Sequence, residues 1–305
     1  MNNIVLVTGG AGFIGSHLSR ALLDKGYKVR VLDNLSYGHR EWVPEKAELI
    51  EGDICDLETC RQAMQNVIGV FHCAAMSRSA PSLDNIDGCT RSNILGTQNI
   101  LIAARDAHVK KIIYSGSSTY YGNQPPPHHE YDTPADFFNF YALSKHVGEQ
   151  YCLMFDKVFN LPCIILRYFN VYGPRQPQSG AYALVLGIFL KRSLEGEALH
   201  IHGNGSQRRD FIHVHDVVTA NINAFESEIH HEIFNIGSGT NISIKELADM
   251  FSPNQIYQPR RTADADITLA DISRAKQLLN WQPSISLKHG IDDLIKNCRT
   301  NAYSE

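Results

Sequence analysis

The chain has 305 residues, 43% of them hydrophobic and 20% charged, with a formal net charge of −4. That is enough apolar material for a substantial core in one or two lobes, and it excludes a disordered chain or one that grips nucleic acid through a basic face. No basic leader or bilayer-long apolar run is visible, so a cytoplasmic protein with no membrane partner is expected. The seven cysteines, odd in number and without C-x-x-C pairs, read as reduced thiols, with neither disulfides nor a bound metal.

The first predicted strand, Ile4 to Val7, stops at Gly9, Gly10, Gly12 and Gly15 and gives way to a helical pattern over Phe13 to Lys25. A strand, a glycine turn and a helix place a pyrophosphate on the helix N-terminus. Backbone near Gly10 and Gly12 approaches the anion without a Cβ in the way, and Gly15 lets the helix pack closely. The second predicted strand, Lys28 to Leu32, is closed by Asp33, at about the 20-residue distance expected of an acid that accepts ribose hydroxyls. A carboxylate there repels a 2′-phosphate, so NAD is favoured over NADP; Arg40 nearby keeps NADP open.

Further predicted strands at Ala47 to Glu51, Gly69 to His72, Lys111 to Ser115 and Pro162 to Arg167 alternate with helical patterns. That order describes an α/β fold with a doubly wound parallel sheet. After Asn170 the pattern loosens into a Pro- and Gly-rich connection. Short strands (Ala198 to His202, Glu232 to Ile236) and helices (Ser243 to Phe251, Ile272 to Leu279) then suggest a smaller C-terminal lobe. The expected division is 1–172 as the nucleotide-binding domain, joined by a returning segment near 209–240, with 173–208 and 241–305 as the substrate lobe.

Tyr141 and Lys145 lie four residues apart in a predicted helix and so share one face. An ammonium beside a phenol favours the phenolate, drawing its pKa down from about 10 toward a working base. Ser117, Ser118 and Thr119 follow a predicted strand, where small hydroxyls can bond a substrate oxygen. The alternative for such a run is a turn or a cap. Adjacent His128 and His129 have no visible third ligand and read as a solvated loop. Gly116 is expected to loosen the serine segment.

The motifs TGGAGFIG, GDI ending at Ile54, HCAA at His72, NILGT at Asn93, SGSSTYYG, YALSK, LRYFNVYGPRQ and RDFIHVHDV span nearly the whole chain. In that order they resemble the extended short-chain dehydrogenase/reductase family of nucleotide-sugar enzymes. The resemblance implies a Rossmann fold with NAD held by the glycine turn, Phe13, Ile14, Asp33 and Asn34. Asp53 and Ile54 would bracket the adenine, with Ala74, Ala75, Asn93 and Tyr168 completing the cofactor site. Tyr141 would be the catalytic base, Lys145 its partner, and Ser117 and Ser118 hydroxyl groups at the reacting centre. Thr119, Asn170, Arg209, Arg261, Asp264 and Thr268 would face a UDP-sugar.

Dehydratases and decarboxylases of the family carry carboxylates where Ser118 and Thr119 stand. Their absence favours 4-epimerisation through a transient 4-keto sugar. SSTYYG, GAYALV at Gly180 and ITLADISRAKQLLNW at Ile267 resemble bacterial UDP-N-acetylglucosamine and UDP-N-acetylglucosaminuronate 4-epimerases, and the small Thr268 stands where a large aromatic residue tends to exclude N-acetyl groups. A keto-sugar reductase, a dehydratase and a non-catalytic NAD-binding regulator remain alternatives. The resemblance also implies a homodimer through Thr97 to Ala107 and Tyr141 to Phe155. Asn139 and Phe140 replace the family's usual Ser-Pro before the tyrosine, and Gly187 replaces a proline.

Overall fold

The computed structural model describes residues 3–77, 79–180, 183–260 and 265–301. The elements follow the chain as β1 (Ile4–Thr8), α1 (Phe13–Asp24), β2 (Lys28–Asp33), β3 (Glu48–Glu51), α2 (Leu57–Ala63) and β4 (Val67–His72). Next come α3 (Ser79–Asp84), α4 (Ile86–Thr90), one π-helical turn (Arg91–Leu95), α5 (Gly96–Asp106), β5 (Lys111–Ser117), α6 (Phe140–Phe159) and β6 (Cys163–Tyr168). The remainder comprises β7 (Asn170–Tyr172), α7 (Val185–Leu194), β8 (Leu199–His202), β9 (Arg208–Arg209), β10 (Phe211–His213), α8 (Val214–Glu226) and β11 (Glu232–Ile236). It ends with β12 (Ile242–Ser243), α9 (Ile244–Asp249), β13 (Gln255–Gln258), α10 (Ser273–Leu279) and α11 (Leu287–Asn301).

Seven strands form one sheet in the order β3-β2-β1-β4-β5-β6-β11, every neighbouring pair parallel. The two-residue side-chain period of a strand explains its two faces. On β1, Val5 and Val7 join Leu18 and Leu22 of α1 and Val217 of α8, whereas Leu6 joins Ile100 of α5 and Cys152 of α6. Helices therefore cover both faces, and the central strands β1, β4 and β6 are apolar runs rather than alternating ones. The order reverses between β1 and β4, which opens a crevice at the carboxyl ends of the strands.

A third core, around Leu186, Phe189, Leu199, Ile201, Leu247 and Ile291, belongs to the second half of the chain. Short parallel pairs β7–β10 and β8–β13 and the antiparallel pair β9–β12 frame it. The chain thus leaves the large sheet after β6 and returns to it only at β11. All seven cysteines are free thiols. No helix among the described residues is long and apolar enough to cross a membrane.

Candidate active site

One cleft of about 1210 Å³ runs along the carboxyl ends of the central strands and on between the sheet and the third core. At its β1 end, helix α1 starts at Gly12 without a side-chain cap. The first-turn amides of Phe13 and Ile14, both lining the cleft, are thus presented to whatever lies there. Gly9 has φ +69°, and a Cβ on it would lie 2.7 Å from the amide nitrogen of Ala74. The backbone of β1 can therefore meet that of β4 only at a glycine. Gly12 and Gly15 also line the cleft. Gly10 does not: a Cβ there would meet the Val31 methyls, so its smallness serves the packing of α1 on β2 and not access to an anion.

Asp33 ends β2 with its Oδ2 accepting from Ala11 N at 3.0 Å and its Oδ1 from Leu35 N at 2.9 Å. The carboxylate is thereby aimed into the cleft with lone pairs to spare. Asn34 donates to Asp53 at 3.0 Å, and Asp53 and Ile54 form the adjoining wall. Arg40 is not among the residues lining the cleft; it is ion-paired with Glu51. The acceptor carboxylate, the uncapped helix and the glycine cradle fit NAD, and the one basic residue that kept a 2′-phosphate open is engaged elsewhere.

Helix α6 supplies the Tyr141 and Lys145 pair. Asn139 caps it by accepting from Ala142 N at 2.9 Å, doing the work of the usual serine. Both side chains line the cleft. Lys145 is 4% exposed, its Nζ 4.4 Å from the centre of the Tyr114 ring. Burial pushes its ammonium down to about 8, with Cys73 and Glu149 opposing the shift. Opposite them, Ser117 ends β5 and pairs with Thr119, Oγ to Oγ1, at 2.8 Å. Ser118, also lining the cleft, opens a 3₁₀ turn that Ser117 caps by accepting from Thr119 N. The run is a cap and a cleft wall at once. Gly116 lies inside β5, opposite Arg167, and its missing side chain leaves room for Glu149, so the segment is a buried strand rather than a loose one.

On the far wall, Asn170 donates to the carbonyl of Asp210 at 2.9 Å and to Thr268 Oγ1 at 3.4 Å. Thr268 Oγ1 also accepts from Asp210 N at 3.2 Å. Arg209 lies beside them, its Nη1 donating to the Arg208 carbonyl at 3.0 Å. All three line the cleft, as do Ala74, Ala75 and Tyr168. Arg261 and Asp264 lie outside the described residues.

Residues 5–237 match the family described as "Epimerase: NAD dependent epimerase/dehydratase family". The chain belongs to that family. It is 36% identical over 306 residues to a putative UDP-glucose 4-epimerase of Methanocaldococcus jannaschii, covering 98% of this chain and 99% of that one. A solved UDP-glucose 4-epimerase from Thermotoga maritima, with UDP-glucose, superposes with a TM-score of 0.94 at 35% identity over 98% of this chain and 99% of that one. The Methanobrevibacter ruminantium UDP-N-acetylglucosamine 4-epimerase, in complex with UDP-N-acetylmuramic acid, gives 0.92 at 31% identity over the same shares. This chain is an epimerase of that NAD-dependent family, and its cofactor is NAD.

Several residues of the quoted motifs stand behind the cleft wall. Asn93 does not line it. Its side chain accepts from Met76 N at 2.8 Å and donates to Met76 O at 3.0 Å and Ser144 Oγ at 2.9 Å, tying the Ala74–Met76 wall to α6. His72, buried and pushed by its burial to about 3, bridges Thr8 at 2.6 Å and Thr97 at 3.0 Å. Thr97 gives its own proton to Asn93 O, so it receives from His72 Nε2; Nδ1 then receives from Thr8, whose oxygen accepts from Ala74 N. That chain of donors fixes the Ala74 backbone with a neutral imidazole. His128 corrects the expectation of a solvated loop. It is fully buried, parallel to the Tyr121 ring at 4.7 Å, because a neutral imidazole packs like any flat ring once Nε2 finds the Gln124 carbonyl. The cleft also takes in Trp42 and Arg91, which belong to no quoted motif, and Arg175 and Gln176, which close the LRYFNVYGPRQ motif but were given no role in it.

Proposed function

We propose that this epimerase inverts C4 of a UDP-hexose bearing an N-acetyl group, UDP-N-acetylglucosamine or its uronate. The observation that carries the reaction type is the placement of acids. Among the described residues, Asp33 and Asp53 are the only carboxylates lining the cleft, and both stand at the end that fits the adenosine of NAD. The centre around Tyr141 and Ser117 therefore offers a base and hydroxyls but no acid of the kind that expelling water requires. Thr268 supports the N-acetyl substrate, since a small side chain there leaves room beside Asn170. The M. ruminantium relative, named for UDP-N-acetylglucosamine, supports it as well.

The chemistry NAD supplies when bound is reversible hydride exchange with a carbinol carbon. In the proposed mechanism Tyr141, with Lys145 as its ammonium neighbour, takes the proton of the 4-hydroxyl directly or through Ser117. The hydrogen bond between Ser117 Oγ and Thr119 Oγ1 orients the Ser117 hydroxyl for that transfer. Arg209 and Asn170 hold the nucleotide end while the sugar turns its other face inward. Arg261 and Asp264 belong to the same proposed binding set. Nothing is consumed, so the cofactor is retained from turnover to turnover.

Incubating the protein with a panel of UDP-sugars, without added cofactor, and following C4 configuration by proton NMR tests the reading. Interconversion of UDP-N-acetylglucosamine with its C4 epimer is expected. Consumption of NADH in step with product would make it a reductase instead. Activity confined to UDP-glucose would overturn the substrate.

The same reading includes a homodimer. On α6, Phe140, Leu143, Met154 and Val158 are all exposed, and at 3.6 residues per turn they fall within about 60° of arc. Burying such a stripe against a second copy is the ordinary solution for an apolar helix face.

A further inference from the structure

Two donors on adjacent residues of the cleft wall stand apart from every network described above. Arg175 Nη1 and Gln176 Nε2 are shielded from solvent, and neither has a hydrogen-bond partner among the described residues. Both residues line the cleft, and Gln176 as a whole is 6% exposed. Buried donors are paired in the great majority of cases, and a guanidinium with a spare N–H calls for an anion. Arg175 also holds a left-handed backbone, φ 65°, which a non-glycine residue seldom adopts.

The loop that carries them is pinned from three sides. His17 of α1 donates to the Pro174 carbonyl at 2.9 Å, and Gln176 N donates to the Gly173 carbonyl at 3.2 Å. The carbonyl of Pro177 occupies the space a Cβ on Gly187 of α7 would need, which accounts for glycine where the family tends to have proline. Across the cleft the Arg175 guanidinium faces the Trp42 ring at 5.9 Å, and Trp42 is stacked on His39 at 4.1 Å. The loop therefore links α1, whose first-turn amides are uncapped, to the wall that continues toward Arg209 and Thr268. The nearby Arg20 repels rather than pairs with Arg175, and His17, lowered by its burial to about 4, carries no charge to offer it.

We infer that Arg175 and Gln176 grip a diphosphate oxygen, Arg175 by a charge-assisted hydrogen bond and Gln176 through its amide N–H. Two molecules could bring that group, NAD and the nucleotide sugar, and the inference rests on the reading that both occupy this cleft. The loop is then a clasp laid over a diphosphate whose other side rests on fixed backbone.

The test uses the full-length holoenzyme with Arg175→Gln and, separately, Gln176→Leu. NAD retained after repeated gel filtration is measured by enzymatic cycling of the denatured supernatant, and UDP binding by calorimetry. Loss of a charged hydrogen bond predicts a change of about tenfold or more for Arg175→Gln, and less for Gln176→Leu. Faster loss of NAD with unchanged UDP affinity places the clasp on the cofactor; weaker UDP binding with NAD retained places it on the nucleotide sugar. Unchanged behaviour in both arms overturns the inference. A wild-type protein that keeps NAD but binds no UDP overturns the nucleotide-sugar reading instead, and leaves the NAD arm able to decide. Should Arg175→Gln not fold, Arg175→Lys keeps the charge without the planar fork, and an unaltered result in it and in Gln176→Leu overturns the inference equally.

Discussion

Lys145 is held by its surroundings at the edge of losing its charge. Its pKa falls from 10.5 to about 8, burial being the largest cause, so the ammonium is present at neutral pH and is lost as pH rises through about 8. In the proposed mechanism that ammonium favours the Tyr141 phenolate. The high-pH limb of kcat/KM is accordingly expected near 8, and a pH profile that stays flat to 10 would separate Lys145 from the reaction. Tyr141→Phe is expected to lower turnover by at least about a hundredfold, the scale of a positioned base. NAD retention and UDP affinity should change little in that variant. Thr268→Tyr should depress activity on UDP-N-acetylglucosamine far more than on UDP-glucose. Because Thr268 Oγ1 accepts from Asp210 N, the substitution also removes a backbone contact. Thr268→Ala gives the size of that loss alone, and equal loss on both sugars in Thr268→Tyr would mean residue 268 does not face C2.

Helix α6 is fastened to the sheet by a buried pair. Arg167 of β6 donates to Glu149 through Nε at 3.1 Å and Nη2 at 2.8 Å, both residues almost wholly enclosed, and its guanidinium lies 3.7 Å from the Tyr120 ring centre. Removing one partner leaves the other charge stranded, so Glu149→Ala is expected to cost about 3–5 kcal/mol in chemical denaturation. The central sheet strands were legible in the sequence because β1, β4, β5 and β6 are built on runs of apolar residues ended by glycine or a polar turn, and β5 and β6 formed within about two residues of expectation. The β13 strand was not: Gln255–Gln258 has no apolar run and is a strand only because β8 offers it an edge. The same limit applied at the site. The glycine turn carries spacing that can be read directly, and Tyr141, Lys145 and Asn93 become legible through the motifs around them, whereas His128, Arg175 and Gln176 take their meaning from neighbours that only the fold brings to them. Gly10 and Gly116 were visible as glycines, but which neighbour demanded the space was not.

At the scale of the molecule, the exposed stripe on α6 and the neighbouring α5 make the proposed two-fold contact. Placing charges in it, Met154→Glu with Val158→Lys, should shift light scattering from about twice 34.1 kDa to the monomer mass. A wild-type protein that scatters as a monomer at micromolar concentration would remove the proposal. The sheet itself carries a different consequence. Its last strand, β11, is made by residues that follow the chain's passage through the third core, and α8, which precedes it, covers α1 and β5. The nucleotide-binding half therefore cannot be expressed as a contiguous fragment. A chain cut after Tyr172 would leave β6 with a bare row of amides and carbonyls and one face of the sheet uncovered, the geometry that recruits strands from other molecules and precipitates.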